Sequence, residues 1–81
     1  MANVSIEGNV KKFVDKLREH LLEFVGEEYV YSHEKKQIVK EKVKSMTDQE
    51  ILDLYLDNHK YYLEIVPKMI SEILRREGVS S

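Results

Sequence analysis

Three histidines, a cluster of four carboxylates and a set of tyrosines and lysines are the side chains of this chain with chemistry to offer. His20, His33 and His59 stand far apart, and none has a second histidine or a carboxylate at the spacing that puts two ligands on one helical face in a zinc or di-iron motif. A metal centre would have to be assembled by the fold. His20, beside Glu19 and Glu23, reads as a solvated side chain, and His33, just after Ser32, as a helix-start residue. His59, on an apolar face, reads as a half-buried core residue with its polar tip satisfied. Asp48, Glu50, Asp53 and Asp57 fall on a solvated helical face, where nothing raises a carboxyl pKa for acid–base work. No serine sits in a nucleophile-elbow context, and no glycine-rich phosphate loop or dinucleotide fingerprint is present. The expectation is a chain that is not an enzyme and carries no cofactor or metal.

The tyrosines and lysines say more. Tyr29 and Tyr31 flank the start of a lysine-bearing helix that carries Lys35, Lys36 and Lys40, and Tyr61 falls off the main apolar stripe further on. These six residues form the candidate interaction surface. Tyrosine at a loop–helix junction often covers the core with its ring and keeps its hydroxyl wet. It also anchors protein interfaces, where aromatic side chains are enriched. A third use is a small anionic ligand such as a nucleotide, with its base on Tyr29 or Tyr31 and its phosphate at the N-terminus of helix two beside Lys35 and Lys36.

These residues must be positioned by helices. Met46-Thr47-Asp48-Gln49-Glu50-Ile51 carries a complete helix start. Thr47 can accept from the Glu50 N–H, Glu50 can reach back to the Thr47 N–H, and Met46 can pack on Ile51. Upstream, Val10, Phe13, Val14, Leu17, Leu21, Phe24 and Val25 recur at three- and four-residue steps and predict a helix over residues 5–25, with Gly26 as a left-handed stop. Glu27 to Tyr31 reads as an ordered loop. Ser32 then caps a second helix over 33–45, whose apolar side of Ile38, Val39, Val43 and Met46 is thin.

The third helix, over 48–65, places Ile51, Leu52, Tyr55, His59, Tyr62, Leu63 and Val66 on one face, with Leu54, Leu56, Tyr61 and Ile65 widening it. Pro67 lacks the N–H that would bond the Leu63 carbonyl, so a sharp kink or a restart with Pro67 at the first position is expected there. A last helix over 67–77 presents Val66, Met69, Ile70, Ile73 and Leu74, and Gly78 with Val79 reads as a Schellman stop. Met1–Asn3 and Ser80–Ser81 are expected to fray. The fold class is all-α, a small bundle of three to four helices forming one domain over 1–81.

At 81 residues a single core is barely sufficient, and the width of the apolar surface predicts self-association, with a dimer favoured. There is no cysteine, hence no disulfide framework and no thiolate chemistry. No apolar run approaches the ~18–20 residues of a membrane span, and Met1–Val14 lacks the apolar stretch of a signal peptide. A cytoplasmic protein is the expectation. A net charge of −2 argues against a polyanion binder, yet the charge is segregated. Five lysines stand against two glutamates between Ser32 and Met46, whereas Thr47 to Asp57 holds four carboxylates and no cation. Attraction between these neighbours within one fold is the plain reading. Helices two and three have the spacing of a helix-turn-helix, but the reading helix would present Asp48, Glu50, Asp53 and Asp57 to phosphates, which disfavours DNA. Only the Lys36–Lys40–Lys44 row offers a weak polyanion surface.

Thr47-Asp48-Gln49-Glu50-Ile51-Leu52-Asp53-Leu54-Tyr55, followed by Ile70-Ser71-Glu72-Ile73-Leu74-Arg75-Arg76, resembles the helical hairpin of the Sda family of sporulation histidine-kinase inhibitors. The resemblance spans Thr47 to Gly78 and departs from the family pattern at Pro67. It implies an antiparallel helical pair that binds the helical bundle of another protein. The function expected is therefore that of a small regulator, inhibitor or adaptor working by protein–protein contact. The alternative is a binder of a small anionic ligand or nucleic acid through the tyrosine–lysine surface.

Overall fold

The computed structural model describes the backbone of residues 2–79 and the side chains of residues 8–79. Four α-helices follow one another: α1 (Ala2–Glu27), α2 (His33–Ser45), α3 (Asp48–Asn58) and α4 (Ile65–Arg76), with a 3-10 segment, His59–Glu64, between the last two. Both α1 and α4 pack on all the other helices, through one core of Val14, Leu17, Leu21, Val25, Val39, Val43, Met46, Ile51, Leu54, Met69, Ile70, Ile73 and Leu74. At 26 residues α1 spans about 39 Å, at least twice the length of any other helix, and sets the long axis of a molecule 46 × 24 × 22 Å. Among the described side chains its first buried residue is Val14, and Val10 and Phe13 on the same stripe stand exposed; Phe13 meets Tyr55 edge-on, ring centroids 4.9 Å apart.

The starts of α2 and α3 form as their sequences dictate. Ser32 Oγ accepts from the Lys35 N–H at 3.2 Å, and the box at Thr47 closes in both directions, Glu50 N–H to Thr47 Oγ1 at 3.1 Å and Thr47 N–H to Glu50 Oε1 at 2.8 Å. Met46 and Ile51 are both buried. At the far end Gly78 takes φ 77°, its N–H bonds the Arg75 carbonyl at 3.1 Å, and Val79 N–H bonds the Leu74 carbonyl at 2.8 Å, which is the Schellman stop.

Four expectations need correction. Gly26 is not a left-handed stop; α1 runs through it to Glu27, and Glu28 N–H still reaches the Phe24 carbonyl at 3.0 Å. Helix three does not run to residue 65 but ends at Asn58, whose buried side chain donates to the Leu54 carbonyl at 2.9 Å. The break is therefore upstream of Pro67. The chain restarts at Ile65, and Pro67 sits in the first turn of α4, where a missing N–H removes no helical bond because the first four donors have no intrahelical partner. The face expected of helix three also shortens: Ile51 and Leu54 are buried, while His59, Tyr62 and Leu63 point to solvent. His59 is no core residue; its Nδ1 donates to the Leu56 carbonyl at 2.7 Å. Of the tails expected to fray, Met1 and Ser80–Ser81 lie outside the described residues, and Ala2 and Asn3 belong to α1.

Candidate functional site

The six candidate residues divide between two helix junctions. Tyr29 lies at the turn between α1 and α2, 95% exposed, beside exposed Val30. Tyr31 turns inward and packs against the core, where burial and then the Glu28 charge hold its phenol pKa up. Lys35, Lys36 and Lys40 are half-buried and make no ion pair among the described residues. Lys40 lays its stem toward α1, where a Cβ built on Gly26 would meet its Cε at 4.0 Å.

Tyr61 belongs to the other junction, the 3-10 segment, and not to helix three. Lys68 Nζ stands 4.9 Å and Lys60 Nζ 5.5 Å from its ring centroid, within cation–π range. The ring borders an open hollow of about 530 Å³ lined also by Asn58, Lys68, Ser71, Glu72 and Arg75. Glu72 is already engaged there, accepting from Arg75 and from Arg76 Nε at 3.0 Å. Next to Tyr61 the backbone takes an unusual turn: Tyr62 has φ 54° and ψ −110°, a region glycine enters freely and a tyrosine only under strain. This turn carries Tyr62 83% exposed and Leu63 99% exposed. Apolar periodicity places both on a buried face, and the structure turns both outward.

Among the described residues no ion pair joins the acidic segment to the neighbouring lysine helix: Asp48 and Asp57 meet cations from elsewhere, Glu50 accepts from the Thr47 N–H, and Asp53 accepts from Gln49 Nε2 at 2.8 Å. Arg18 of α1 donates Nη1 to the Val43 carbonyl and, at 2.9 Å, to the Met46 carbonyl, and Nη2 to Asp48 Oδ1 at 2.8 Å. Lys11 meets the other Asp48 oxygen at 2.9 Å. Hydrogen bonds from Lys11 and then Arg18 hold the Asp48 carboxyl below its usual range, and the Thr47 N–H does the same for Glu50. Asp57 lies 3.7 Å from Arg76. Both shifts are downward, the direction that keeps a carboxylate ionised and unfit to act as a general acid near neutrality. Among the described residues no three His, Asp or Glu side chains converge as a metal-binding set, and no helix is long and apolar enough to cross a membrane.

Arg18 was legible only as a charge off the apolar stripe. A signal for it did exist: α2 ends without a glycine stop, so its last carbonyls need a donor from elsewhere. Comparison with protein-family models, with curated proteins and with solved structures finds no match to this chain.

Proposed function

We propose that this chain acts by protein–protein contact, with no catalytic chemistry of its own, as a small cytoplasmic regulator of inhibitor or adaptor type that also self-associates. The observation that carries the reading is the Tyr61–Tyr62–Leu63 turn. Leaving a leucine and a tyrosine in water forgoes about 1.5–3 kcal/mol of burial for the leucine alone, and the Tyr62 backbone adds strain of about 1–3 kcal/mol. Neither serves the packing of α3 or α4. An apolar and aromatic turn held outward on a rigid helical frame has the composition of an interface anchor. The likeness of Thr47–Gly78 to the Sda family supports the same reading and suggests a helical bundle as the partner.

Leu63→Asp tests it. Because Leu63 is 99% exposed, the variant keeps the wild-type unfolding midpoint, and calorimetry against a partner captured with the wild-type chain shows affinity lowered by about tenfold or more. Equal affinity for variant and wild type would overturn the reading. The anionic-ligand alternative rests on the unpaired state of Lys35, Lys36 and Lys40 among the described residues. It requires nucleotide binding that weakens steeply as salt rises.

A further inference from the structure

The outer face of α1 groups like charges in blocks, lysines first and glutamates after, which a lone helix does not favour. Lys12, Lys16, His20, Glu23 and Glu27 follow one another at three- and four-residue steps, share one face, and are all exposed. Lys12 and Lys16 are like charges four residues apart, and so are Glu19, Glu23 and Glu27 in succession; each such pair repels along the helix. Glu27 lies in the last turn of α1, at the negative end of the helix dipole, where a carboxylate is disfavoured. None of these side chains makes an ion pair among the described residues. The contrast with the inner flank of the same helix is plain, where Lys11 meets Asp15 and Asp48, and Arg18 meets Asp48.

From this we infer that α1 is the dimerisation helix, pairing with α1 of a second copy in antiparallel orientation about a two-fold axis between Glu19 and His20. Lys16 and Glu23 lie equally far on either side of that midpoint, and so do Lys12 and Glu27. A single axis therefore sets Lys16 against the partner's Glu23 and Lys12 against the partner's Glu27, twice each. A two-fold interface must be complementary to itself, and this face is. Antiparallel pairing also lays each helix dipole against its reverse. An apolar strip runs beside the charges: Phe13, 41% exposed, borders a shallow groove of about 400 Å³ with Lys12, Lys16, Leu17 and His20.

The inference rests on the self-association reading above, and charge swaps separate the two. By sedimentation at low salt the wild type is a dimer. Lys16→Glu and Glu23→Lys, each still helical by circular dichroism, lose association by about tenfold or more, because each places like charges opposite one another. Mixed in equal amounts the two variants form a heterodimer, since the carboxylate introduced in one then faces the ammonium introduced in the other. The chain has no cysteine, so Lys12→Cys mixed with Glu27→Cys forms a crossed disulfide in the antiparallel arrangement. A dimer that survives Lys16→Glu unchanged, or a mixture that stays monomeric, overturns this interface while leaving self-association standing. A wild type that remains monomeric at low salt overturns both.

Discussion

The junction between α2 and α3 and the junction between α3 and α4 are turns in the same small bundle, yet they are built on opposite terms. At the first, Met46 and Thr47 alone link the helices, Met46 is buried, the capping box closes both ways, and Arg18 reaches across from α1. The guanidinium meets the negative end of α2 through two carbonyls and the positive end of α3 through Asp48, so it serves both helix termini. At the second junction six residues are used, the Glu64 position caps α4 without a side-chain bond, Tyr62 is strained, and Leu63 faces water. A corner that serves only the fold is held by several independent contacts. A corner that keeps strain and apolar surface is available to something outside the chain.

The largest effect that would break this comparison is at Arg18. Arg18→Ala removes a charged donor from two α2 carbonyls and from Asp48, and the cost expected is about 2–3 kcal/mol, since hydrogen bonds to charged groups exceed neutral ones and a donor lost from a partly buried acceptor leaves it unsatisfied. Leu63→Ala at the other junction should move stability by less than about 0.5 kcal/mol. Urea unfolding of both variants checks this. Similar losses at the two sites would show that the α3–α4 turn contributes to the fold after all.

A pair of smaller changes should act with opposite sign. Thr47→Ala removes the capping hydroxyl and costs about 1 kcal/mol. Tyr62→Gly relieves a backbone strain of about 1–3 kcal/mol and adds chain entropy to the unfolded state worth about 1 kcal/mol, so a net gain of about 1 kcal/mol is expected. Thermal melts of the two variants should shift in opposite directions. A destabilised Tyr62→Gly would mean that the tyrosine ring holds the turn and that the strain is structural.

The same contrast explains what could be read in advance. Ser32, Thr47 with Glu50, and Gly78 with Val79 were legible because capping is local: donor, acceptor and side chain lie within five residues. The all-α class followed from apolar periodicity along α1 and α4. Periodicity failed at Tyr62 and Leu63, because their spacing continues the α3 stripe, and spacing cannot report that the helix has already ended at Asn58. Pro67 drew the break toward itself, although its missing donor costs nothing in a first turn. Arg18 and Asp48 are 30 residues apart, and no local rule joins them. The candidate surface was found by residue type, but its division between two junctions is a property of the packed helices, as is the inward turn of Tyr31 beside the outward Tyr29.

The smallest expected effect, a dependence on pH, belongs wholly to the first junction. Asp48 is held below the usual carboxylate range by Lys11 and Arg18, and Glu50 by the Thr47 N–H. A carboxyl whose pKa is lower in the folded chain stabilises the fold when ionised, so this contribution is complete above its unfolded pKa of about 4 and is lost as pH falls through the folded value. Both groups lie near solvent, which screens the pairs and keeps the slope shallow. Unfolding midpoints between neutral and strongly acidic pH should therefore decline, and Asp48→Asn should flatten the curve while lowering its neutral plateau. Leu63→Asp makes a useful control, because its new carboxylate is fully solvated, has no partner and should leave the slope unchanged. If Asp48→Asn left the acid limb as steep as in the wild type, the carboxylates that govern it would have to lie elsewhere, with Asp57 beside Arg76 and Glu77 beside Lys42 the next to replace.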